Sequence, residues 1–312
     1  MADVGACLEL PSFAKINWFL EVEGRRPDGY HQITTVFQTV DLHDRISFAV
    51  TSNPAIELTV AGRPLPTGKG NLLYKAVAAL SERARVDSGL RMHLEKRIPV
   101  GGGLGGGSSN AAVGLLAANH LWKTGLGLEE LAVLGSHLGA DVPFFLSGGT
   151  ALGMGRGDRI FTLPDCARNF SLVLLYPGFP ISTRRAYQAR DWGLFGEDAI
   201  LTTDQADTKI QRFRQAVTGM GLSWLRNDFE EVLFELYPAL ARSSDLLKQA
   251  GCDPVMLSGS GSCLFGVADA ERAESIAREV SQQTRGEVFL CHSLPRQEYR
   301  NNFALAGLEL II

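Results

Sequence analysis

Cysteine is scarce: five residues in 312, at positions 7, 166, 252, 263 and 291, odd in number and without a CxxC pair. That pattern excludes an all-disulfide framework and a thiolate zinc site, and leaves reduced, buried thiols as the expectation. A basic excess is also missing. The formal net charge is −4 with no basic stripe, which argues against a nucleic-acid partner, although one nucleotide bound at a local positive site is compatible with it. No apolar run approaches the length needed to span a bilayer. The opening Met1-Ala-Asp-Val-Gly5 lacks the basic start and apolar run of a signal peptide and the Arg/Ser richness of a transit peptide. A cytoplasmic protein with no membrane partner is expected. The short apolar tail, Ala304 to Ile312, reads as a strand or a docked terminus rather than an anchor.

What is present is an ordinary globular balance, 45% hydrophobic and 21% charged, in a chain long enough for one large or two medium domains. Ile16, Trp18, Leu20 and Val22 alternate with Lys15, Asn17, Phe19, Glu21 and Glu23, the period of a half-buried strand, with Lys15 and Asn17 on one face. Pro27-Asp28-Gly29 is turn chemistry. Extended runs follow at 31–40, 46–50, 56–60 and 90–95. Leu72, Leu73, Ala76, Val77 and Leu80 carry helical spacing within 71–85. A second helix is expected over 108–123, capped by Ser108 or Ser109 and rich in small residues for close packing on a sheet. A shorter one is expected over 129–138. Beyond residue 165 come a dense apolar strand at 170–176, a polar stretch at 191–222 with a helix near 210–217, and a helical stretch at 229–249 interrupted at Pro238. Strands at 255–257 and 263–267, a helix near 270–283 and a strand near 288–291 complete the pattern. The pattern is α+β, divided into residues 1–165 and 166–312.

The strongest feature is Gly101-Gly102-Gly103-Leu104-Gly105-Gly106-Gly107-Ser108-Ser109. Six glycines in seven positions are costly to order, and they are useful where backbone N–H groups must approach a ligand closely. Here they lead from a strand into a helix N-terminus, a site that favours an anion, and phosphate is the natural candidate. A Walker A loop would end in Gly-Lys-Ser/Thr, whereas Gly106-Gly107-Ser108 supplies no lysine. Gly101, Gly103 and Gly106 formally fit GxGxxG, but in so glycine-rich a run the match is nearly automatic. The acids that follow, Glu129 and Glu130, fall on an expected helix rather than on the next strand of a dinucleotide fold.

The run Pro99-Val-Gly-Gly-Gly-Leu-Gly-Gly-Gly-Ser-Ser-Asn-Ala-Ala112 resembles the phosphate-binding motif of the GHMP kinases. Lys15-Ile-Asn17 resembles the family's first motif. Leu257-Ser-Gly-Ser-Gly-Ser262 resembles its third, a glycine-rich hairpin beside the phosphates. Three blocks in the right order make a specific signal. Arg26-Pro-Asp-Gly-Tyr-His31 and Gly139-Ala-Asp-Val-Pro-Phe144 point to the branch acting on a cytidyl-diphospho sugar alcohol. The resemblance covers most of 12–160 and 255–267.

The resemblance implies a two-domain fold: an N-terminal domain like the second domain of ribosomal protein S5, and a ferredoxin-like C-terminal domain. It implies ATP as phosphoryl donor, with Mg²⁺ offsetting the phosphate charge and Ser108 or Ser109 near it, and no dedicated protein metal cage. Asp141 is then the general base, although composition alone would make it a helix-ending turn residue. Lys15, otherwise a solvated strand lysine, would lower the pKa of the reacting hydroxyl, and Asn17 would orient the pair or the substrate. Tyr30 and His31 would meet the cytosine, one as a stacking face and one at the base edge, with Tyr187 on the other face and Thr183 on the sugar-alcohol part. Asn71 and Lys96 are candidates for the base and ribose side of ATP. Ser258, Gly259, Ser260, Gly261 and Ser262 form the hairpin. A monomer or weak homodimer is expected. Two rivals are a GHMP kinase for another alcohol, and a GHMP-fold sensor, which should have lost Lys15 or Asp141. Both residues are present.

Overall fold

The computed structural model describes residues 7–166, 168–194, 203–219 and 221–308. The first half of the chain supplies strands β1 (Cys7–Arg25), β2 (His31–Thr51), β3 (Ile56–Gly62), β4 (Gly89–Lys96), β5 (Thr150–Gly155) and β6 (Arg159–Thr162). The sheet runs β3-β4-β2-β1, with β5 paired to β2 and β6. Helices α1 (Leu72–Ala84), α2 (Gly106–Leu121) and α3 (Leu128–Leu138) pack against it around a core that includes Phe48, Met92, Val77 and Leu115.

The second half supplies β7 (Ser171–Tyr176), α4 (Thr183–Gln188), α5 (Thr203–Thr218), β8 (Arg226–Asn227), α6 (Phe229–Leu236), α7 (Pro238–Gln249), β9 (Val255–Leu257), β10 (Leu264–Ala268), α8 (Ala273–Gln283), β11 (Glu287–His292) and α9 (Arg296–Leu305). Four of these strands form an antiparallel sheet in the order β11-β7-β10-β9. Last, first, third, second is the split order of a ferredoxin-like unit. The chain passes between the sheets from Thr162 to Ser171, and two later segments cross back over a division at 165. Strand β8 pairs in parallel with β1, and Tyr299 and Phe303 of α9 sit in the first core.

Local chemistry accounts for most element ends. Helix α1 buries Leu73, Ala76, Val77 and Leu80, and its cap is Asn71, whose Oδ1 accepts from Leu73 N at 2.9 Å. Helix α2 begins at Gly106 rather than at the expected serines, because Gly105 takes φ +67° and turns the chain into the helix two residues earlier. The stop at Pro238 holds, since α6 ends at Leu236 and α7 starts on the proline. The runs at 31–40 and 46–50 are one strand, because polar His43 and Asp44 resume the pairing with β1 after a bulge at Asp41 and Leu42. The tail is not a strand where it is described: Ala304 and Leu305 end α9, and residues 309–312 lie outside the described residues. Of the cysteines, all free, Cys252, Cys263 and Cys291 are buried and Cys7 is exposed.

Strand β1 departs from a half-buried strand, since residues 12–20 are all buried. A bulge between Phe13 and Ala14 shifts its register. Before it, Leu8 and Leu10 face the helical core; after it, Ala14, Ile16 and Trp18 face the second sheet, where Trp18 meets Phe170 and Phe265 edge-on at 5.1 and 5.4 Å. The extra residues lie in β2, whose Asp41 and Leu42 fall between the partners of Phe13 and Ala14. Lys15 and Asn17 lie on the side of the glycine loop, and Lys15 N donates to Leu104 O at 3.0 Å.

Beneath that loop is a buried charge. Asp44, wholly buried in β2, accepts from Arg97 N at 2.7 Å, Ile98 N at 2.9 Å, Asn110 Nδ2 at 2.9 Å and the Lys96 ammonium. The carboxylate thus ties β2 to the end of β4 and to α2. Burial lowers the Lys96 pKa, and Asp44 opposes the shift. Removing one partner of a buried pair strands the other charge. Asp44→Asn should lower the unfolding free energy by about 3–5 kcal/mol in urea titration. A loss under about 1 kcal/mol, the scale of an exposed pair, would show that water reaches this pair.

Candidate active site

The glycine loop, the hairpin after β9 and the turn after β1 open onto one cavity of roughly 1230 Å³. One end of it is built from backbone. The first intrahelical bond of α2 runs from Ser109 N to Gly105 O at 2.9 Å. The N–H groups of Gly106, Gly107 and Ser108 therefore have no partner within the helix, and all three residues line the cavity. Free N–H groups at the positive end of a helix dipole are a phosphate site. The hairpin holds the loop from the other side: Cys263 N donates to Gly102 O at 3.0 Å and Ser258 Oγ to Gly103 O at 3.1 Å.

Asp141 is fixed by the turn that ends α3. Val142 N donates back to Gly139 O at 3.1 Å, and Pro143 opens a 3₁₀ turn whose Phe144 and Phe145 are wholly buried. Anchored on both sides, the Asp141 carboxylate stands at the cavity wall, 3.8 Å from Lys15 Nζ, with its side chain 32% exposed against 4% for Lys15. Burial pushes the Lys15 pKa down, and Asp141 pulls it back up. The ammonium also donates to Asn17 Oδ1 at 2.6 Å, and Asn17 Nδ2 donates to Thr35 Oγ1 at 2.7 Å, which donates to Phe19 O at 2.7 Å. Thr35 is a residue that the sequence reading missed. Its only signal is its place in a strand that pairs with β1, which local spacing does not reveal. Gly259 comes so close that an added Cβ would lie 3.1 Å from Lys15 Nζ.

At the far end, His31 and Tyr187 stack on each other, ring centroids 4.5 Å apart and 20° from parallel. Tyr187 also meets Phe229 edge-on at 4.9 Å. Tyr30 is 56% exposed, with the Arg156 guanidinium 5.0 Å from its ring centroid. The expected sandwich of a base between Tyr30 and Tyr187 therefore has a different starting geometry: one face of Tyr187 is already covered by His31. Burial, aided by Arg25, lowers the His31 pKa, so the ring is neutral at pH 7. Burial raises that of Tyr187, which stays a protonated hydroxyl.

Lys15, Asn17, Tyr30, His31, Lys96, Gly101 to Ser108, Asp141, Thr183, Tyr187, Gly259 and Ser260 all line this cavity. Thr183 accompanies the hairpin, its Oγ1 lying 3.2 Å from Ser260 Oγ. Five expected residues are not brought to the wall. Asn71 uses its side chain as the α1 cap and donates to Pro66 O at 2.8 Å. Ser109 turns away to Ser12, Oγ to Oγ at 2.8 Å. Ser258, Gly261 and Ser262 lie behind the hairpin, where Ser262 Oγ donates to Phe179 O at 2.5 Å. Lys96 reaches the wall, but its ammonium is committed to Asp44.

Comparison with known proteins agrees with this construction. Residues 71–149 match the GHMP kinases N terminal domain and residues 205–285 the GHMP kinases C terminal domain. The 4-diphosphocytidyl-2-C-methyl-D-erythritol kinase of Pelotomaculum thermopropionicum is 40% identical over 265 residues, 85% of this chain and 90% of the relative. The enzyme of the same name from Solibacter usitatus is 39% identical over 292 residues, 93% of this chain and 90% of the relative. A crystal structure of 4-(cytidine 5'-diphospho)-2C-methyl-D-erythritol kinase superposes with a TM-score of 0.70 at 33% identity, covering 92% of this chain and 99% of the other. A homoserine kinase from Cytophaga hutchinsonii shares the fold at a TM-score of 0.67 but only 16% identity, over 93% of this chain and 95% of the other. The chain belongs to the 4-diphosphocytidyl-2-C-methyl-D-erythritol kinases, a family within the GHMP kinases.

Proposed function

We propose that the chain transfers the γ-phosphoryl group of ATP to the 2-hydroxyl of 4-diphosphocytidyl-2-C-methyl-D-erythritol, in non-mevalonate isoprenoid precursor biosynthesis. One observation carries the reading: a lysine–carboxylate pair faces the open N-terminus of α2 in the same cavity as Tyr30, His31 and Tyr187. The hydroxyl oxygen attacks the γ-phosphorus, the bond to the β-phosphate oxygen breaks, ADP leaves, and the hydroxyl proton passes to Asp141. In a loose transition state that proton leaves late, so a carboxylate is base enough. Lys15 stabilises the charge developing on the attacking oxygen, and the N–H groups of Gly106, Gly107 and Ser108 do the same for the phosphates. Mg²⁺ arriving with ATP would offset charge between the β and γ phosphates, bound by phosphate oxygens and water with the Ser108 hydroxyl as the nearest candidate from the loop.

The cytidyl end is assigned to Tyr30 and the His31–Tyr187 stack. A neutral imidazole offers one donor and one acceptor, which matches the donor and acceptor on the edge of cytosine. Every group used comes from one chain, so a monomer or weak homodimer suffices. A cytoplasmic setting is part of this reading, supported by two charged substrates that do not cross a bilayer unaided. Among the described residues no helix is long and apolar enough to cross a membrane.

The direct test is ADP release with Mg-ATP, comparing the cytidyl substrate with mevalonate, homoserine and galactose. Turnover with the first alone is expected. Turnover with another alcohol instead would keep the chemistry and remove the substrate assignment. Asp141→Asn should lower kcat by about 10²–10⁴-fold with ATP affinity unchanged. A variant that keeps most of its kcat would remove the base. The His31 shift sets a pH dependence. Its pKa lies below the ordinary value of about 6.5, so KM for the cytidyl substrate should be flat through pH 7 and should rise only on acidification below the ordinary histidine range, where a second proton removes the acceptor. His31→Gln should abolish that rise; the same rise in both proteins would clear His31 of the role.

A further inference from the structure

Helix α4, which carries Tyr187, has six residues. A helix that short does not hold itself in place, so the plane of the Tyr187 ring must be set by its neighbours. The next stretch of chain wraps back over it. Trp192 Nε1 donates to the carbonyl of Tyr187 at 2.8 Å. The Trp192 ring meets Phe229 edge-on, centroids 5.3 Å apart and 77° between planes, and Phe229 is the ring that also buttresses Tyr187. On the outside, the Arg190 guanidinium lies 5.3 Å from the Trp192 ring and pairs with Glu231 of α6 at 3.0 Å. The segment is pinned to the end of β1, where Arg25 N donates to Gly193 O at 2.8 Å.

Trp192 has a second property that a packing residue need not have. With Arg190 and Asp191 it lines both the main cavity and a neighbouring one of about 440 Å³ bounded by Val22, Arg226 and Glu231.

We infer that Trp192 is a positioning residue for the cytidyl half of the substrate: it holds the Tyr187 ring against His31 and closes the base end of the cavity. This rests on the proposed contact of Tyr187 and His31 with the base. The hydrogen bond and ring contacts of Trp192 run to Tyr187, Phe229 and Arg190, on the base side of the cavity. Its loss should therefore weaken one substrate and spare both the other substrate and the chemical step.

The test combines kinetics with intrinsic fluorescence of the full chain, using cytidine 5'-diphosphate as the titrant. Trp192→Ala should raise KM for the cytidyl substrate by about 3- to 10-fold, the scale of a lost aromatic contact, with kcat and KM for ATP within about twofold of the unaltered chain. Trp192→Phe keeps an aromatic wall without the indole N–H and should fall between the two. The diphosphate should change the emission of the unaltered chain, and that change should be lost in Trp192→Phe. The other three tryptophans, Trp18, Trp122 and Trp224, do not line the cavity. An emission change that survives in Trp192→Phe, or a Trp192→Ala enzyme whose kcat and ATP KM move as much as its cytidyl KM, would overturn the inference. Should Trp192→Ala fail to fold, the Trp192→Phe titration and its KM decide alone. If the unaltered chain neither responds to the diphosphate nor turns over the cytidyl substrate, the functional reading falls and this inference falls with it.

Discussion

There is no room for a side-chain carbon between Gly103 and Gly261. A Cβ on Gly261 would lie 2.0 Å from Gly103 N, and one on Gly103 would lie 2.0 Å from Ser258 O. The atoms in the way are backbone, so nothing could move aside cheaply. Backbone from one sheet therefore lies directly against backbone from the other, and the seam is stitched by Cys263 N to Gly102 O and Ile181 N to Gly101 O. This contact fixes where the open end of α2 points, because the same loop turns into the helix through the left-handed Gly105. It also brings Gly259 over Lys15 and Asn17. The glycine run is thus a joint between the two domains as well as a wall of the cavity.

The site's electrostatics follow from how deep that joint lies. Lys15 is almost wholly buried, and an ammonium there is costly unless it is paired and hydrogen-bonded. It is met by Asp141 on one side and by the Asn17–Thr35–Phe19 relay on the other. Lys96, equally buried, is met by Asp44. The two lysines differ in what their partners can do. Asp44 is sealed and bonded to four donors, so it serves the architecture. Asp141 is partly open to the cavity and keeps oxygen lone pairs free to accept a proton. The two pairs differ in exposure rather than in residue type.

Exposure of that kind is what a one-dimensional reading handles worst. The tight glycine loop was legible because close backbone approach needs glycine, and glycine leaves a mark in the sequence. Helix α1 and the break at Pro238 were legible because caps and proline act over a few residues. Asp44 left no mark, since its partners sit 52 to 66 residues away and nothing in Asp-Leu-His-Asp hints at burial. The burial of β1 was misread for a related reason. Past Phe13 the strand leaves the helical core for the second one, and no local residue announces that change of neighbours. Asn71 and Ser109 were named by resemblance to a motif, and the structure gives each a local polar partner instead.

The two ends of the cavity are built on different principles. At the end below α2 the polar groups are backbone N–H atoms, held by a contact that admits no side chain, so substitution there is constrained by geometry. At the far end the working groups are side chains of the turn after β1 and of the six-residue α4. Their planes are set by neighbours such as Phe229 and Trp192, not by the sheet. Such residues can be exchanged without disturbing the joint between the domains. Specificity for the acceptor can therefore change while the phosphoryl chemistry stays in place.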